Sequence, residues 1–167
     1  MTKKPPPAPV AKLSHVAADG SARMVDVSGK PETVRTARAR GTIRMSLAAF
    51  EAIRLHQIEK GDVVSVARLA GIMAAKKTAD LIPLCHPLVL DDVQVDLSAD
   101  AGLPGFRVES QVRTTGRTGV EMEAIIAVTV ALVTVYDMAK SADRGMVICD
   151  ISLIEKTGGK SGRYFAG

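Results

Sequence analysis

Between Thr33 and Arg44 small or apolar residues alternate with arginines, the period of two expected of a strand with one buried and one exposed face. Arg38, Arg40 and Arg44 fall on its polar side. Met24–Ser28 alternates in the same way and predicts a preceding strand. From Leu47 the apolar spacing becomes helical, with Ser46 suited to the N-cap and Lys60-Gly61 to the end. Asp62 is the next N-cap, opening a helix through Val63, Val66, Leu69, Ala70 and Met73 to about Ala79. Pro83 and Pro87 then bracket a short, rigid loop, Leu84-Cys85-His86.

Two further alternating runs, Val89–Leu97 and Phe106–Arg113, flank Gly102-Leu103-Pro104-Gly105 and predict an antiparallel hairpin with Val93, Val95 and Leu97 facing inward. The 13 residues Ala124–Tyr136 form an apolar run between Glu123 and Asp137, short of the roughly 20 needed to span a bilayer. Their β-branched residues alone favour a strand. Thr118-Gly119-Val120-Glu121 ahead of them has capping-box spacing, however, and the length suits a core helix buried on nearly all sides. A last strand runs from Met146 to Ile154. The order β-β-α-α-β-β-α-β lacks the regular alternation of a parallel doubly wound sheet, so it predicts an α+β fold with an antiparallel sheet and helices packed on one face.

The 167 residues suit one domain, with residues 1–12 as a disordered Pro-rich tail and 13–167 as a single domain ending in a flexible basic C-terminus. With 47% hydrophobic and 24% charged residues, a disordered or fibrous chain is excluded. Lys3-Lys4-Pro5-Pro6-Pro7 has no apolar region of a secretory signal. Cys85 and Cys149 cannot build a disulfide framework and form no Cys-x-x-Cys motif, which suits a reducing cytosol. The charge is uneven: Met1–Lys60 carries 11 basic and 5 acidic residues, Gly61–Gly167 carries 11 and 13. The basic half invites an anionic partner. Aromatic residues are only 3% of the chain, too few for the stacking platforms of single-strand nucleic-acid binders, so a small anion is favoured.

Asp137 and Lys140 lie three residues apart on the predicted long helix, where they serve either as a coupled acid and base or as an ordinary ion pair. A lysine just after an apolar run is expected to be partly desolvated, which eases proton release. Glu121 has a sufficient role in the capping box. Glu123, about 200° further round the helix, does not; it is free to accept hydrogen bonds from a guanidine-like ring edge. His86 is either presented by the proline-fixed loop or hydrogen-bonded to backbone. His15 and His56 stand alone, and no structural zinc is expected. Gly159-Lys160-Ser161 resembles the end of a phosphate loop, but Ile154 occupies the position where that motif needs glycine. Glycines with Lys156, Lys160 and Arg163 still suit a phosphate-binding tail. Lys60, Lys76, Lys77, Lys140 and Lys156 together could neutralise a triphosphate.

Glu123 and Asp137 are 14 residues apart in sequence, about 21 Å along one helix. One small substrate hardly reaches both in the same chain, so a site using both requires a neighbouring subunit.

Taken together, Lys60-Gly61-Asp62-Val63, Leu81-Ile82-Pro83-Leu84-Cys85-His86-Pro87-Leu88, Thr118-Gly119-Val120-Glu121-Met122-Glu123-Ala124, Tyr136-Asp137-Met138 with Lys140, and Gly158-Gly159-Lys160-Ser161-Gly162 resemble the molybdenum-cofactor biosynthesis protein C (MoaC) family of cyclic pyranopterin monophosphate synthases. The likeness runs from about Leu13 to Arg163. It implies a lyase that takes (8S)-3′,8-cyclo-7,8-dihydroguanosine 5′-triphosphate, supplied by a radical SAM enzyme, to cyclic pyranopterin monophosphate with loss of pyrophosphate. It also implies Asp137 and Lys140 as the catalytic pair and Leu84, Cys85, His86, Met122 and Glu123 as substrate contacts. Lys60, Lys76, Glu121 and Lys156 match further pocket residues. A ferredoxin-like fold, a cytoplasmic homohexamer built as a trimer of dimers, and an intersubunit site follow from the same likeness, with no cofactor beyond magnesium accompanying the triphosphate. Ala139 departs from relatives that carry cysteine there. Two rivals remain: a nucleic-acid binder using Arg35–Arg44, marked by steep salt dependence, and a metal-dependent phosphohydrolase using Glu123 and Asp137, marked by loss of activity in chelator.

Overall fold

The computed structural model describes residues 19–160 and 162–166. The Pro-rich segment 1–12, His15 and Ser161 lie outside them. The elements are β1 (Thr33–Arg44), α1 (Leu47–Arg54), α2 (Val63–Ala75), α3 (Thr78–Leu81), β2 (Asp92–Asp100), β3 (Gly105–Gly116), α4 (Glu121–Ala139), β4 (Val147–Thr157) and β5 (Tyr164–Phe165). All strand pairs are antiparallel, in the order β2-β3-β1-β4-β5. This is the expected α+β fold. The order of the first four strands is compatible with ferredoxin-like connectivity.

The alternation in β1 is realised residue by residue. Ala37, Ala39 and Ile43 are buried under the helices, while Arg40 and Arg44 lie on the open face. β1 is the central strand, paired with β3 throughout and with β4 across two irregularities. On the covered face, Val95, Val108 and Val112 meet Ala124, Ala127, Val128, Ala131, Leu132 and Val135 of α4. Full burial of each large side chain among them stabilises by about 1.5–3 kcal/mol. Helix α2 lies beside α4, and Gly71 sets their separation: a Cβ there would come within 2.7 Å of the Ala127 carbonyl oxygen. Gly105 is needed for a similar reason at the start of β3, where a Cβ would meet the Ile43 carbonyl.

Several expected boundaries move. Met24–Ser28 is not a strand; it runs beside the Cys85-His86 loop, where the Val25 carbonyl meets His86. Ser46 and Asp62 do cap α1 and α2, accepting from the backbone N–H of Ala49 and Ser65. However, α1 stops at Arg54 rather than Lys60, and His56 turns the chain at a φ of 53°. α2 ends at Ala75, and Lys76 is its C-cap. β2 begins at Asp92, β3 continues to Gly116 and β4 to Thr157, which places Lys156 inside the sheet.

The capping box does not form. α4 starts at Glu121, with Val120 as N-cap and no side-chain cap. α4 is also less enclosed than expected, since Ile125, Ile126 and Val130 are partly exposed and Val133 is half-exposed. Its 19 residues are long and apolar enough to cross a membrane by length and composition alone. Here Ala124, Ala127, Val128, Ala131, Leu132 and Val135 are buried against the sheet and α2, which accounts for part of that apolarity.

Candidate active site

At the carboxyl end of α4, Asp137 gathers two lysines. Lys140 Nζ donates to Oδ1 at 2.7 Å, and Lys60 Nζ donates to Oδ2 at 2.9 Å. Lys60 also donates to the Asp137 carbonyl at 2.9 Å, satisfying one of the carbonyls left open at a helix end. Cations are favoured there by the helix dipole. The hydrogen bonds from Lys140 and then Lys60, backed by both charges, hold the Asp137 carboxyl down at about 2. Asp137 is therefore a fixed anion. Lys140 is 52% exposed and Asp137 55%, so this chain does not supply the expected desolvation of the lysine.

The amino end of α4 is the opposite environment. Glu123 is only 2% exposed, and burial raises its carboxyl above the usual range. Its Oε1 accepts from the Cys85 thiol at 3.5 Å, and Oε2 has no hydrogen-bond partner among the described residues. Burial, and then the nearby Glu123 charge, pushes the Cys85 thiol up to about 11. A neutral thiol beside a carboxyl that resists ionisation is the result. His86 Nε2 lies 2.8 Å from the Val25 carbonyl, which can only accept, so the proton of a neutral ring sits on Nε2. The backbone-bonded reading of His86 thus holds in this chain. Leu84 and Met122 are half-buried beside these groups in sequence.

Glu121, freed from capping, binds Lys156 at 2.9 Å, with both side chains 28% exposed. Lys156 stands opposite Ala37 on β1, so strand pairing carries it under the start of α4. Lys76 shares a hollow of about 100 Å³ with Thr78, Leu88 and Glu123. Of the expected phosphate-binding tail, Arg163 is turned to Glu155 at 2.7 Å.

The structure therefore assembles two half-sites. Lys60, Asp137 and Lys140 form one; Cys85, His86, Glu121, Glu123, Lys76 and Lys156 stand around the other end of the same unbroken helix. The Lys60–Asp137 contact escaped sequence reasoning because 77 residues separate the partners and no local spacing announces it. Among the described residues, no three of His, Cys, Asp and Glu group closely enough to hold a metal ion.

The model of the MoaC family matches residues 24–159. The chain belongs to the MoaC family. A relative from Methylobacterium sp. (strain 4-46), a cyclic pyranopterin monophosphate synthase, is 59% identical over 157 residues, covering 94% of this chain and 98% of its own length. The matched span contains both half-sites of this MoaC family member. The likeness read from the sequence motifs is thereby shown.

Proposed function

We propose that this chain acts in molybdenum cofactor biosynthesis as a cyclic pyranopterin monophosphate synthase. It is a lyase that converts (8S)-3′,8-cyclo-7,8-dihydroguanosine 5′-triphosphate to cyclic pyranopterin monophosphate and pyrophosphate. The observation that carries the reading is the near end-to-end 59% identity to a synthase of that name. The chemistry needs groups that move protons while the purine imidazole ring opens and the pyranopterin ring closes. It also needs positive charge where the cyclic phosphate forms: a bond from a substrate oxygen to the first phosphorus is made as the bond to the bridging oxygen breaks, and pyrophosphate leaves with that electron pair.

In this reading Lys140 is the acid/base, and Asp137 fixes its ammonium while Lys60 holds Asp137 from the other side. The buried Glu123 carboxyl and the Cys85 thiol are suited to meet the polar edge of the guanine-derived ring, with Leu84, His86 and Met122 completing that wall. Lys76, Glu121 and Lys156 line its approach. Neither half-site alone holds both sets, and their separation of about 21 Å along α4 favours a site shared between subunits, in a homohexamer arranged as a trimer of dimers. The substrate is supplied by a radical SAM enzyme, and the chain works in the cytoplasm without a cofactor of its own. Any magnesium arrives with the triphosphate. Nucleic acid is the less favoured partner, since one arginine of the open face, Arg38, is already engaged by Glu109 at 2.9 Å and faces Glu155 at 3.9 Å.

The test is release of pyrophosphate from the cyclised dihydro-GTP by the purified protein, with pyranopterin followed in the same tubes. Both products from the wild type are expected. Neither product from a folded, oligomeric wild type would overturn the reading.

A further inference from the structure

Lys140 is the C-cap of α4, so where its ammonium lies depends on the turn that follows. That turn leaves α4 at Ala139, whose carbonyl accepts from the N–H of Ala142 at 2.9 Å and of Asp143 at 3.2 Å. Strand pairing resumes only at Val147, opposite Arg44 of β1. The Asp143 carboxylate closes the interval with two short bonds. Its Oδ1 accepts from the Gly145 N–H at 2.7 Å, within the turn, and its Oδ2 accepts from the Ser46 N–H at 2.7 Å, across to the start of α1. The bonds from Ser46 and then Gly145 hold the Asp143 carboxyl below its ordinary range, as befits an acceptor used in its charged form. The Tyr136 hydroxyl adds a third tie, donating to the Arg144 carbonyl at 3.1 Å.

Ser46 matters because of what α1 connects. It is the N-cap of α1, whose 8 residues span about 12 Å, and the far end leads through the His56 turn to Lys60. Ala49, Phe50 and Ile53 bury this helix in the core, and Phe50 meets Phe106 of β3 edge-on with ring centroids 5.5 Å apart. The two lysines on Asp137 therefore come from segments joined through one anchored helix. Lys60 lies beyond its carboxyl end, and Lys140 lies at the head of the turn that Asp143 pins to its amino end. Asp143 ion-pairs with neither lysine among the described residues.

We propose that Asp143 is a positioning residue for the Lys60-Asp137-Lys140 centre: its carboxylate pins the Lys140 turn to α1 and so fixes where the Lys140 ammonium meets Asp137. Removing it leaves the Ser46 and Gly145 N–H groups to water, and leaves the turn only the Ala139 carbonyl and the Tyr136 hydroxyl as ties. A proton-transfer group displaced by about 1 Å loses up to about a hundredfold in rate. Groups that only hold the substrate are untouched, so the loss falls on kcat rather than KM. The catalytic consequence rests on the proposed function; the positioning does not.

The experiment compares full-length wild type, Asp143→Ala and Asp143→Asn in two readouts. One is steady-state turnover of the cyclised dihydro-GTP. The other is acetylation by acetic anhydride, resolved residue by residue by mass spectrometry, with Lys30 as the internal reference. Lys140 Nζ must leave Asp137 Oδ1 before it meets the reagent. Asp143→Ala is expected to lower kcat at least about tenfold with KM within about twofold of wild type, and to acetylate Lys140 about threefold faster relative to Lys30. Asp143→Asn keeps one of the two acceptor oxygens and the shape of the side chain. It should fall between the others, and it serves as the test where the alanine variant folds poorly. Lys140 labelling that does not change, or that rises equally at Lys30, would overturn the proposal whatever happens to turnover. So would a loss confined to KM. A wild type that makes no pyranopterin, while Lys140 labelling rises selectively in the variants, refutes the synthase reading and leaves the positioning role standing.

Discussion

Glu123 and Asp137 are carboxylic acids on the same helix with opposite fates. Asp137 sits in the open, held ionised by two ammonium groups; Glu123 is 2% exposed, and among the described residues a thiol is its side-chain hydrogen-bond partner. Electrostatic partners decide the first and desolvation decides the second. The helix dipole does not account for the difference, since by itself it favours an anion at the amino end, where Glu123 is raised, over the carboxyl end, where Asp137 is lowered. Chemistry at each end is therefore set by what the rest of the fold brings there: the turn holding Lys60 at one end, the Cys85-His86 loop at the other.

The largest expected effect is at the exposed end. Asp137→Asn keeps the shape but leaves Lys60 and Lys140 without their shared anion, and turnover measured by pyrophosphate release should fall about a thousandfold. At the buried end, the Cys85 thiol at about 11 is scarcely ionised at pH 8. Alkylation by iodoacetamide, followed by mass spectrometry, should be about tenfold slower than for a free cysteine and should quicken in Glu123→Gln. Between the ends, Gly71→Ala offers up to about 1 kcal/mol of helix propensity. Its Cβ, however, meets the Ala127 backbone oxygen, which cannot swing aside, and such overpacking costs about 1–3 kcal/mol. Net destabilisation is expected, read from urea midpoints.

The smallest effects concern pH, and their signs differ. Asp137 is lowered on folding, so its contribution is present above the ordinary carboxyl range and is lost as pH falls from about 4 toward about 2. Glu123 is raised on folding, so its protonated form favours the native state at low pH. That advantage disappears as pH rises from the ordinary value of 4.5 through the raised one. Denaturation followed against pH should lose the acid-limb slope in Asp137→Asn and the opposite slope in Glu123→Gln. Equal slopes in both variants and wild type would refute the contrast between the two ends.

Local physics was legible in the sequence. Ser46 and Asp62 cap because the bonded amide lies three residues away, and β1 alternates because one face is covered. Thr118 and Glu121 satisfied the same local rule and misled, because Lys156, 35 residues further on, takes the glutamate instead. Met24–Ser28 has strand-like alternation without a strand beside it to pair with. The candidate residues were nameable from composition and motif likeness, but the partition into two half-sites depended on long-range partners.

The unbroken length of α4 also has a genetic meaning. Under the shared-site assembly, a chain disabled at Asp137 still donates an intact amino end, and a chain disabled at Glu123 still donates an intact carboxyl end. Mixed dimers of the two would each contain one fully wild-type site and one doubly damaged site. Random assembly then restores about a quarter of the sites. Two alleles that are each inactive alone should complement one another in the same cell, and a single chain carrying both lesions should rescue neither.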